Sequence, residues 1–545
     1  MSRSDSLMTV FEAETPTQVS PSSAVTPKLA ATIGTNTIFG ILAGGASLAT
    51  RFITIPIVIA HLGLGGYGIW AIIMTAATYM RFGAVGVKSA FQKYVAEATG
   101  SGDYERASEL LSTGCTAMFA LSVAGLIPIA FFSRVLAQIA GVPDQFMKAT
   151  SGSISVLALI MVMSNVGAVF EAILMGGHRI DIARRYSMAF TVAEACVIVG
   201  LLHFGYGLLA MATVMGTSEL GFVGCCFIAS RKVMPKIDIS IGRFNRRVLG
   251  ELFRFAGSYQ LVSILQVLYA AILPVTMLRA FGVDYAGIYA LTLRLINPAQ
   301  ILQDSFLLSI LSGGSMVYAS GAVRRMSNLI HKSFKVTLLF ALVPLSLIGC
   351  FGTAIIFAWT GQHEPQFGIA LLLVALAGIF QALSVLGLVL YRISGNALLD
   401  NIRQVLVIVT LLAVTLFAHR LGFYGVLGGL AFAEMLGMLF MIYAVARTYP
   451  VFRLGMLASD AGKMIATTAC VLMIGFCANH IPLPFSGSAR VFAGVRAATV
   501  FLACGLALLP ALLLSKFIAL SDVRTGLNMI LSRFNLRPAA PDASF

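Results

Sequence analysis

Charged residues are scarce in this chain of 545 residues, in which Asp, Glu, Lys and Arg together make up 11%. A soluble globular protein would carry about 25% of such residues. Hydrophobic residues account for 58% of the chain, so most of its surface must face something other than water. A helix needs about 20 apolar residues to cross a membrane, because backbone groups cannot stay unpaired in hydrocarbon. The composition therefore predicts an all-α polytopic membrane protein.

Other features are also missing, and each absence excludes a class of protein. No spacing of Cys and His fits a metal site, so we predict neither a metal nor a cofactor. No basic and aromatic surface stands apart from the apolar runs, which argues against a nucleic-acid partner. The longest predicted outer loop, 134–150, contains Asp144 as its only carboxylate. An enzyme acting at the membrane surface would need more catalytic side chains in such a loop, so we predict no catalytic residues and no enzymatic activity.

Apolar runs predict about 14 membrane-spanning helices. With the N-terminus in the cytoplasm, 27 of the 37 Lys and Arg residues lie on the cytoplasmic side, 6 outside and 4 within spans. This asymmetry predicts that both termini are cytoplasmic. The predicted units are a disordered tail without the pattern of a signal peptide (1–35), a first lobe of six spans (36–232), a basic connector (233–254), a second lobe of six spans (255–447), two further spans (464–515) and a cytoplasmic tail (516–545).

The sequence repeats itself at an interval of about 218 residues. The pattern of glycines and aromatic residues in 63–71 recurs in 282–290. Further matches in nearly the same register are Pro56 with Pro274, Gly177 with Gly395, Arg185 with Arg403 and Gly207 with Gly425. Because six spans is an even number, both copies insert in the same orientation. The repeat predicts two lobes related by a pseudo-two-fold axis along the membrane normal, with a cavity between them.

Four basic side chains lie within predicted spans, where the cost of an Arg is at least ~2.5 kcal/mol: Arg51, Arg81, Lys88 and Arg294. Such groups must face a wet cavity or a partner. The repeat places no charged residue at the positions equivalent to the three arginines. We therefore predict that the four bind substrate. The alternative is an ion pair with a buried acid or, for Lys88, a side chain that reaches the cytoplasmic surface.

Carboxylates within the predicted spans are the natural partners of these cations. We assign four of them to ion coupling or charge balance: Glu171, Glu219, Asp304 and Glu434. An intramembrane acid can carry a coupling proton, and it can also serve as a structural partner of an arginine.

A polar stripe lies on the seventh predicted span, where Tyr259, Ser263 and Gln266 are spaced i, i+4, i+7. In lipid such a stripe must face protein or water. Since Pro274 lies in the same helix, we predict that these residues form a bendable cavity wall. Ordinary hydrogen bonding between helices is the alternative.

Three segments carry a family resemblance: the 63–71 turn, the 82–96 stretch and the 102–111 loop. With its six plus six plus two spans, the chain resembles the multidrug/oligosaccharidyl-lipid/polysaccharide exporter superfamily. Within it, the chain is similar to the polysaccharide transporter branch, which includes the O-antigen flippases. In that branch a cationic central cavity holds a pyrophosphate, and Arg51, Arg81 and Arg294 fall on spans that line it.

The resemblance implies a flippase for transport of a polyprenyl-pyrophosphate-linked oligosaccharide, the repeat unit of O-antigen or exopolysaccharide biosynthesis. It implies alternating access across the bacterial inner membrane, with a polysaccharide polymerase or assembly proteins as candidate partners. The alternative is a multidrug or metabolite antiporter on the same fold. Export of cationic drugs needs a negative cavity, and the first span carries Arg51 in place of an acid, which disfavours it.

Overall fold

The computed structural model describes residues 27–517, apart from residue 178 and the segments 301–322, 394–397, 449–453 and 483–487. In some helical stretches, among them 82–90 and 253–263, the description covers the backbone and not the side chains.

The described chain is built from long helices. Lobe one consists of α1 (Pro27–Ser101), α2 (Tyr104–Phe131), α3 (Ser133–Ile139), α4 (Asp144–Gly176), α5 (Ile180–His203) and α6 (Leu208–Val233). Lobe two consists of α7 (Arg246–Phe281), α8 (described over 283–300), α9 (Val323–Thr360), α10 (Gln366–Ile393), α11 (Leu398–Leu416) and α12 (Ala418–Thr448). Two further helices follow, α13 (Leu454–Asn479) and α14 (Ala489–Leu514).

Twelve of the described helical stretches are long and apolar enough to cross a membrane. One of them, Leu42–Arg81, contains two spans, because α1 kinks at Gly63. The predicted all-α polytopic architecture is thereby confirmed.

We call the end of the molecule at which α6 leads into α7 the connector end, and the other end, where Gly63 lies, the turn end. The positive-inside rule predicts that the connector end is cytoplasmic.

Two helices begin earlier than the hydropathy predicts. Helix α1 starts at Pro27, inside the predicted tail. Proline is favourable in a first helical turn, where its missing N–H has no partner to lose. Helix α7 starts at Arg246, inside the predicted connector. The Asn245 side chain caps it by accepting a hydrogen bond from the backbone N–H of Arg247 at 2.9 Å. Hydropathy alone misses polar turns that continue a helix beyond the membrane.

At the turn end, the turns of the two lobes have glycines with similar backbone φ angles at corresponding positions. Gly63 (φ 71°) corresponds to Gly282 (φ 98°). The same holds for Gly141 with Gly361 (φ 82° and 78°) and for Gly205 with Gly422 (φ 81° and 69°). Positive φ is open to glycine and strained for other residues. The duplicated scaffold is therefore held by turns that tolerate only glycine without strain.

The two copies of the repeated turn pack against each other. A Cβ on Gly68 would lie 2.5 Å from the carbonyl oxygen of Val283. A Cβ on Gly287 would strike the carbonyl oxygen of Leu64 in the same way. In the repeat, Gly68 corresponds to Gly287 and Leu64 corresponds to Val283, so the two contacts are equivalent. Equivalent contacts of this kind are typical of an isologous interface across a two-fold axis. This contact places the pseudo-two-fold axis between α1 and α8 and joins the lobes at the turn end.

Candidate functional site

A cavity of about 470 Å³ lies against the inner face of lobe one. Three membrane-embedded arginines line it together, and they come from two different lobes: Arg51 and Arg81 from α1 and Arg294 from α8. The structure therefore brings into one space the three arginines that the sequence singles out. Two carboxylates, Glu194 of α5 and Glu219 of α6, face the same space.

Arg51 and Arg294 lie at the same depth. Arg51 precedes the turn glycine Gly63 by 12 residues, and Arg294 follows the equivalent Gly282 by 12 residues. At about 1.5 Å per helical residue both are about 18 Å from the turn end. They are near enough to repel each other, and Arg294 lies against the hydroxyl of the buried Tyr67. Two like charges thus face each other near the middle of the membrane.

Neither of these two arginines is ion-paired with an acid in the described part of the chain. Glu194 acts on Arg51 electrostatically, without a direct ion pair. A guanidinium carries five N–H donors, so both side chains keep donors for a ligand.

Arg81 differs, because it is paired. It lies 18 residues beyond Gly63, which is about 27 Å from the turn end. Its Nη2 forms an ion pair with Oε2 of Glu219, whose Oε1 accepts a hydrogen bond from Ser164 at 3.0 Å. The Arg81 side chain is 43% exposed, so it still borders the cavity. Both interpretations of Arg81, cavity lining and structural ion pair, hold at once.

The cavity has a net positive charge, because three arginines face two glutamates. Glu194 lies within electrostatic reach of Arg51, Arg81 and Glu219. The charge is therefore uneven: the end near Arg81 is balanced, and the part between Arg51 and Arg294 carries the excess. An anion would be held there most strongly.

Glu434, predicted to couple ions or balance charge, lies elsewhere, buried in lobe two. It is 1% exposed and does not line the cavity. The Tyr269 hydroxyl donates to its Oε1 at 2.6 Å, and Arg403 Nη1 lies 3.6 Å from its Oε2. Arg403 is also within 4.0 Å of Asp400. The sequence analysis did not predict this pairing with Arg403.

The other predicted site residues fall in two groups. Glu171 and Gln266 are described and do not line the cavity. The Gln266 side chain is exposed. The remaining predicted residues lie outside the described part of the structure, in whole or in their side chains: Lys88, Tyr259, Ser263 and Asp304.

A contact between lobes stands beside Arg51. Pro56 has no N–H, so the carbonyl of Phe52 four residues earlier lacks its helical partner. The indole Nε1–H of Trp359, near the end of α9, donates to that carbonyl at 2.6 Å. The Phe52 and Trp359 rings also stack at 4.4 Å. A side chain of lobe two thereby completes the hydrogen bonding of a kinked helix of lobe one.

Comparison with known proteins gives no match to any family model and none to a curated protein. Solved structures do match. The lipid II flippase MurJ in an inward closed conformation aligns with 86% of this chain and 98% of its own, at 14% identity and a TM-score of 0.67. An inward-facing multidrug resistance MATE family transporter of the MOP superfamily aligns with 74% of this chain and 98% of its own, at 16% identity and a TM-score of 0.61.

The chain has the MATE and MurJ fold. A third protein with this fold, a MOP superfamily transporter from Pyrococcus furiosus, aligns with 78% of this chain and 95% of its own. Its identity is 15% and its TM-score 0.55, and it is described as having a binding pocket of reverse polarity. At these identities the likeness establishes the fold shared with transporters. It does not show that this chain belongs to the polysaccharide transporter branch.

Within this fold the sequence analysis missed Glu194 as a cavity residue. A signal was present: Ser187, Thr191 and Glu194 of α5 follow a helical spacing of i, i+4, i+7, and all three line the cavity. Read as a polar stripe on a membrane helix, this pattern would have indicated a wet face. This stripe on α5 forms part of the cavity wall.

Proposed function

We propose that this protein is a flippase that moves an anionic lipid-linked glycan across the membrane by alternating access. The observation that carries the proposal is the pair Arg51 and Arg294, which face one cavity from two lobes without an ion-paired carboxylate among the described residues. Placing two like charges at this depth is costly unless a ligand of opposite charge is bound there during the cycle.

The chemistry of the pair suits a diphosphate. Guanidinium groups bind phosphate oxygens through charge-assisted, often bidentate hydrogen bonds. Those bonds strengthen where water is scarce. A polyprenyl-pyrophosphate-linked oligosaccharide presents two adjacent phosphates, so Arg51 and Arg294 would each take one. Arg81 would then stay with Glu219 and border the sugar.

The size of the cavity fits the headgroup of such a lipid. Small-molecule sites measure about 300–1,000 Å³, and this cavity measures about 470 Å³. It would hold the diphosphate and the first sugars, while the polyprenyl tail would remain in the bilayer. The substrate would thus cross with its polar part between the lobes and its tail in lipid.

Alternating access needs two lobes that separate at one end and close at the other. The lobes touch toward the turn end through Gly68, Gly287 and the Trp359 contact. They also touch at the connector end, where Nη2 of Arg106 (α2) lies 3.4 Å from Oε2 of Glu251 (α7). In the proposed cycle these two sets of contacts break in turn. By the positive-inside rule this moves the headgroup from the cytoplasmic to the outer leaflet of a bacterial inner membrane.

A second candidate is an antiporter for drugs or metabolites, which the two carboxylates in the cavity favour. Glu194 and Glu219 would attract a cation, and an intramembrane acid can exchange protons during a cycle. The net charge of the cavity disfavours this reading for cationic drugs. An anionic metabolite would fit the arginines as well as a lipid headgroup would.

Transport in proteoliposomes separates the candidates. The purified protein is reconstituted with a fluorescent polyprenyl-diphosphate saccharide, and its leaflet is read from quenching by a membrane-impermeant reagent. The flippase proposal predicts faster transbilayer movement that the R51Q/R294Q double variant abolishes. R134Q changes an exposed arginine outside the cavity and should behave as wild type.

The same vesicles test the alternative. Uptake of a cationic dye, with no movement of the diphosphate lipid, would overturn the flippase proposal and support drug export. If the R51Q/R294Q variant still moves the lipid, the protein is a flippase but the two arginines play no part in its mechanism.

A further inference from the structure

A second concave surface of about 380 Å³ lies on lobe one at the connector end, between the start of α5 and the end of α6. It shares no residue with the central cavity. We call it the α5–α6 groove; its lining includes Arg179, Ile182, Arg185, Tyr186, Ile228 and Lys232.

The groove faces away from the central cavity. On α5, Ile182 lines the groove and Thr191 lines the cavity. These residues are nine apart, which is two and a half helical turns and therefore opposite faces of the helix. The surface around the groove is apolar and open, with Ile228 of α6 56% exposed. In a membrane-spanning helix such a surface contacts lipid.

Two arginines of the groove are held in place by one buried acid. Asp181 accepts from Arg179 Nε at 3.1 Å and lies 3.4 Å from Arg185 Nη2, while its own side chain is 8% exposed. Arg185 also lies over the Phe39 ring at 4.2 Å. Each guanidinium uses only part of its donor set on Asp181. Both side chains remain about half exposed, so their other donors are available and already oriented.

The groove changes from cationic to apolar along its length. Lys232 lies near the end of α6, and Ile228 lies one turn deeper in the membrane. Three cations against one acid leave the outer part positive, while Ile182 and Ile228 make the deeper part apolar. This gradient matches a molecule with an anionic head and a hydrocarbon chain.

Arg185 and its counterpart in lobe two differ in their exposure. Arg403 occupies the position of lobe two that corresponds to Arg185. It is 7% exposed and lies beside Glu434, whereas Arg185 is 53% exposed. The same duplicated arginine is thus buried in the protein in one lobe and half exposed in the other.

We propose that the α5–α6 groove binds the phosphate of an anionic membrane phospholipid, whose acyl chain lies along Ile228. Arg179, Arg185 and Lys232 contact the phosphate. The site is separate from the transport cavity and goes beyond the proposed function, since it takes a resident lipid rather than the cargo.

Native mass spectrometry of the full chain tests this site. Protein in detergent is titrated with phosphatidylglycerol or with phosphatidylcholine. Wild type should retain one phosphatidylglycerol in preference to phosphatidylcholine. R185Q should weaken that retention roughly tenfold, the effect of one charge-assisted hydrogen bond. K232Q should weaken it as well. R184Q removes the same charge from the adjacent exposed residue, which does not line the groove, and should match wild type.

Several results would overturn the proposal. Equal losses in R184Q and R185Q would show diffuse attraction to surface charge. Equal retention of the two lipids would show that phosphate recognition plays no part. Displacement of phosphatidylglycerol by glycerol 3-phosphate at comparable concentration would assign the groove to a soluble phosphate. Because the readout is retained lipid, these outcomes are independent of whether the protein flips a glycan.

Discussion

The two lobes share a scaffold and use their charges in opposite ways. In lobe two, Arg403 and Glu434 are buried beside each other, and Glu434 accepts a hydrogen bond from the half-buried Tyr269. In lobe one, Arg51 occupies the position equivalent to Tyr269 and faces a cavity. In lobe two the charges of Arg403 and Glu434 pair with each other inside the protein. The arrangement in lobe one keeps charge available for a ligand.

The difference shows which parts of a duplicated protein are free to diverge. The turn glycines recur because only glycine tolerates their backbone angles without strain. The cavity arginines Arg51, Arg81 and Arg294 do not recur, so folding does not require them in both copies. A charge that the scaffold can omit in one lobe is a better functional candidate than one that is neutralised in place.

The largest effect on stability is expected in lobe two. Replacing Arg403 by Met leaves the carboxylate of Glu434 buried beside an apolar side chain, which typically costs about 3–5 kcal/mol. Thermal unfolding in detergent should show a large loss for R403M and little change for R51Q. Adding E434Q to R403M should restore part of the loss. Equal stability of R403M and R51Q would erase the contrast between the clusters.

The symmetric contact at the turn end comes next. Adding a methyl group at Gly68 or Gly287 forces it against a backbone carbonyl, and such overpacking costs about 1–3 kcal/mol. Because the contact is isologous, G68A and G287A should open the turn end to a similar extent. Distances between spin labels at positions 134 and 420, one on each lobe, would report the opening.

A matched control is G125A, since nothing lies within 4 Å of a Cβ at that position. Its label distances should equal those of wild type. Markedly different responses of G68A and G287A would contradict a two-fold axis at this contact.

Tighter binding of an anionic ligand is expected when the ion pair between Arg81 and Glu219 is removed. Replacing Glu219 by Gln frees Arg81 and raises the net charge of the cavity by one. At about 10 Å and an effective dielectric constant of about 20, that is worth about 1.7 kcal/mol, or roughly tenfold tighter binding of a diphosphate. R81Q should weaken binding. Isothermal titration with a soluble diphosphate sugar would show whether the two variants shift affinity in opposite directions, and shifts of the same sign would refute the charge argument.

The smallest effect is expected at Trp359. Phenylalanine there keeps the ring that stacks on Phe52 and removes the N–H that reaches the Phe52 carbonyl. The loss of about 1 kcal/mol should shift the lobes roughly fivefold toward states open at the turn end. The label pair at 134 and 420 measures this population. If W359F matches wild type while W359A shifts, the ring rather than the hydrogen bond joins the lobes.

Sequence reasoning predicted the features that follow from chemistry along the chain. Membrane spans, repeated turns and costly intramembrane arginines are visible in one dimension, and Arg51, Arg81 and Arg294 meet in one cavity. It could not separate Glu219 from Glu434, because both are acids within spans. Which one faces the cavity depends on the rotation of α6 and α12 about their axes. That rotation is set by packing between helices, which hydropathy does not encode.

The central claim is that Arg51 and Arg294 grip an anionic headgroup between the lobes. The most direct test is the affinity of the purified protein for a polyprenyl-diphosphate saccharide, compared between wild type, R51Q/R294Q and a control, R134Q/R420Q, that removes two exposed charges at the turn end. Each charge-assisted hydrogen bond is worth about 1.5–3 kcal/mol. We predict at least a roughly hundredfold loss in R51Q/R294Q and none in the control. Equal affinity in all three proteins would contradict the claim.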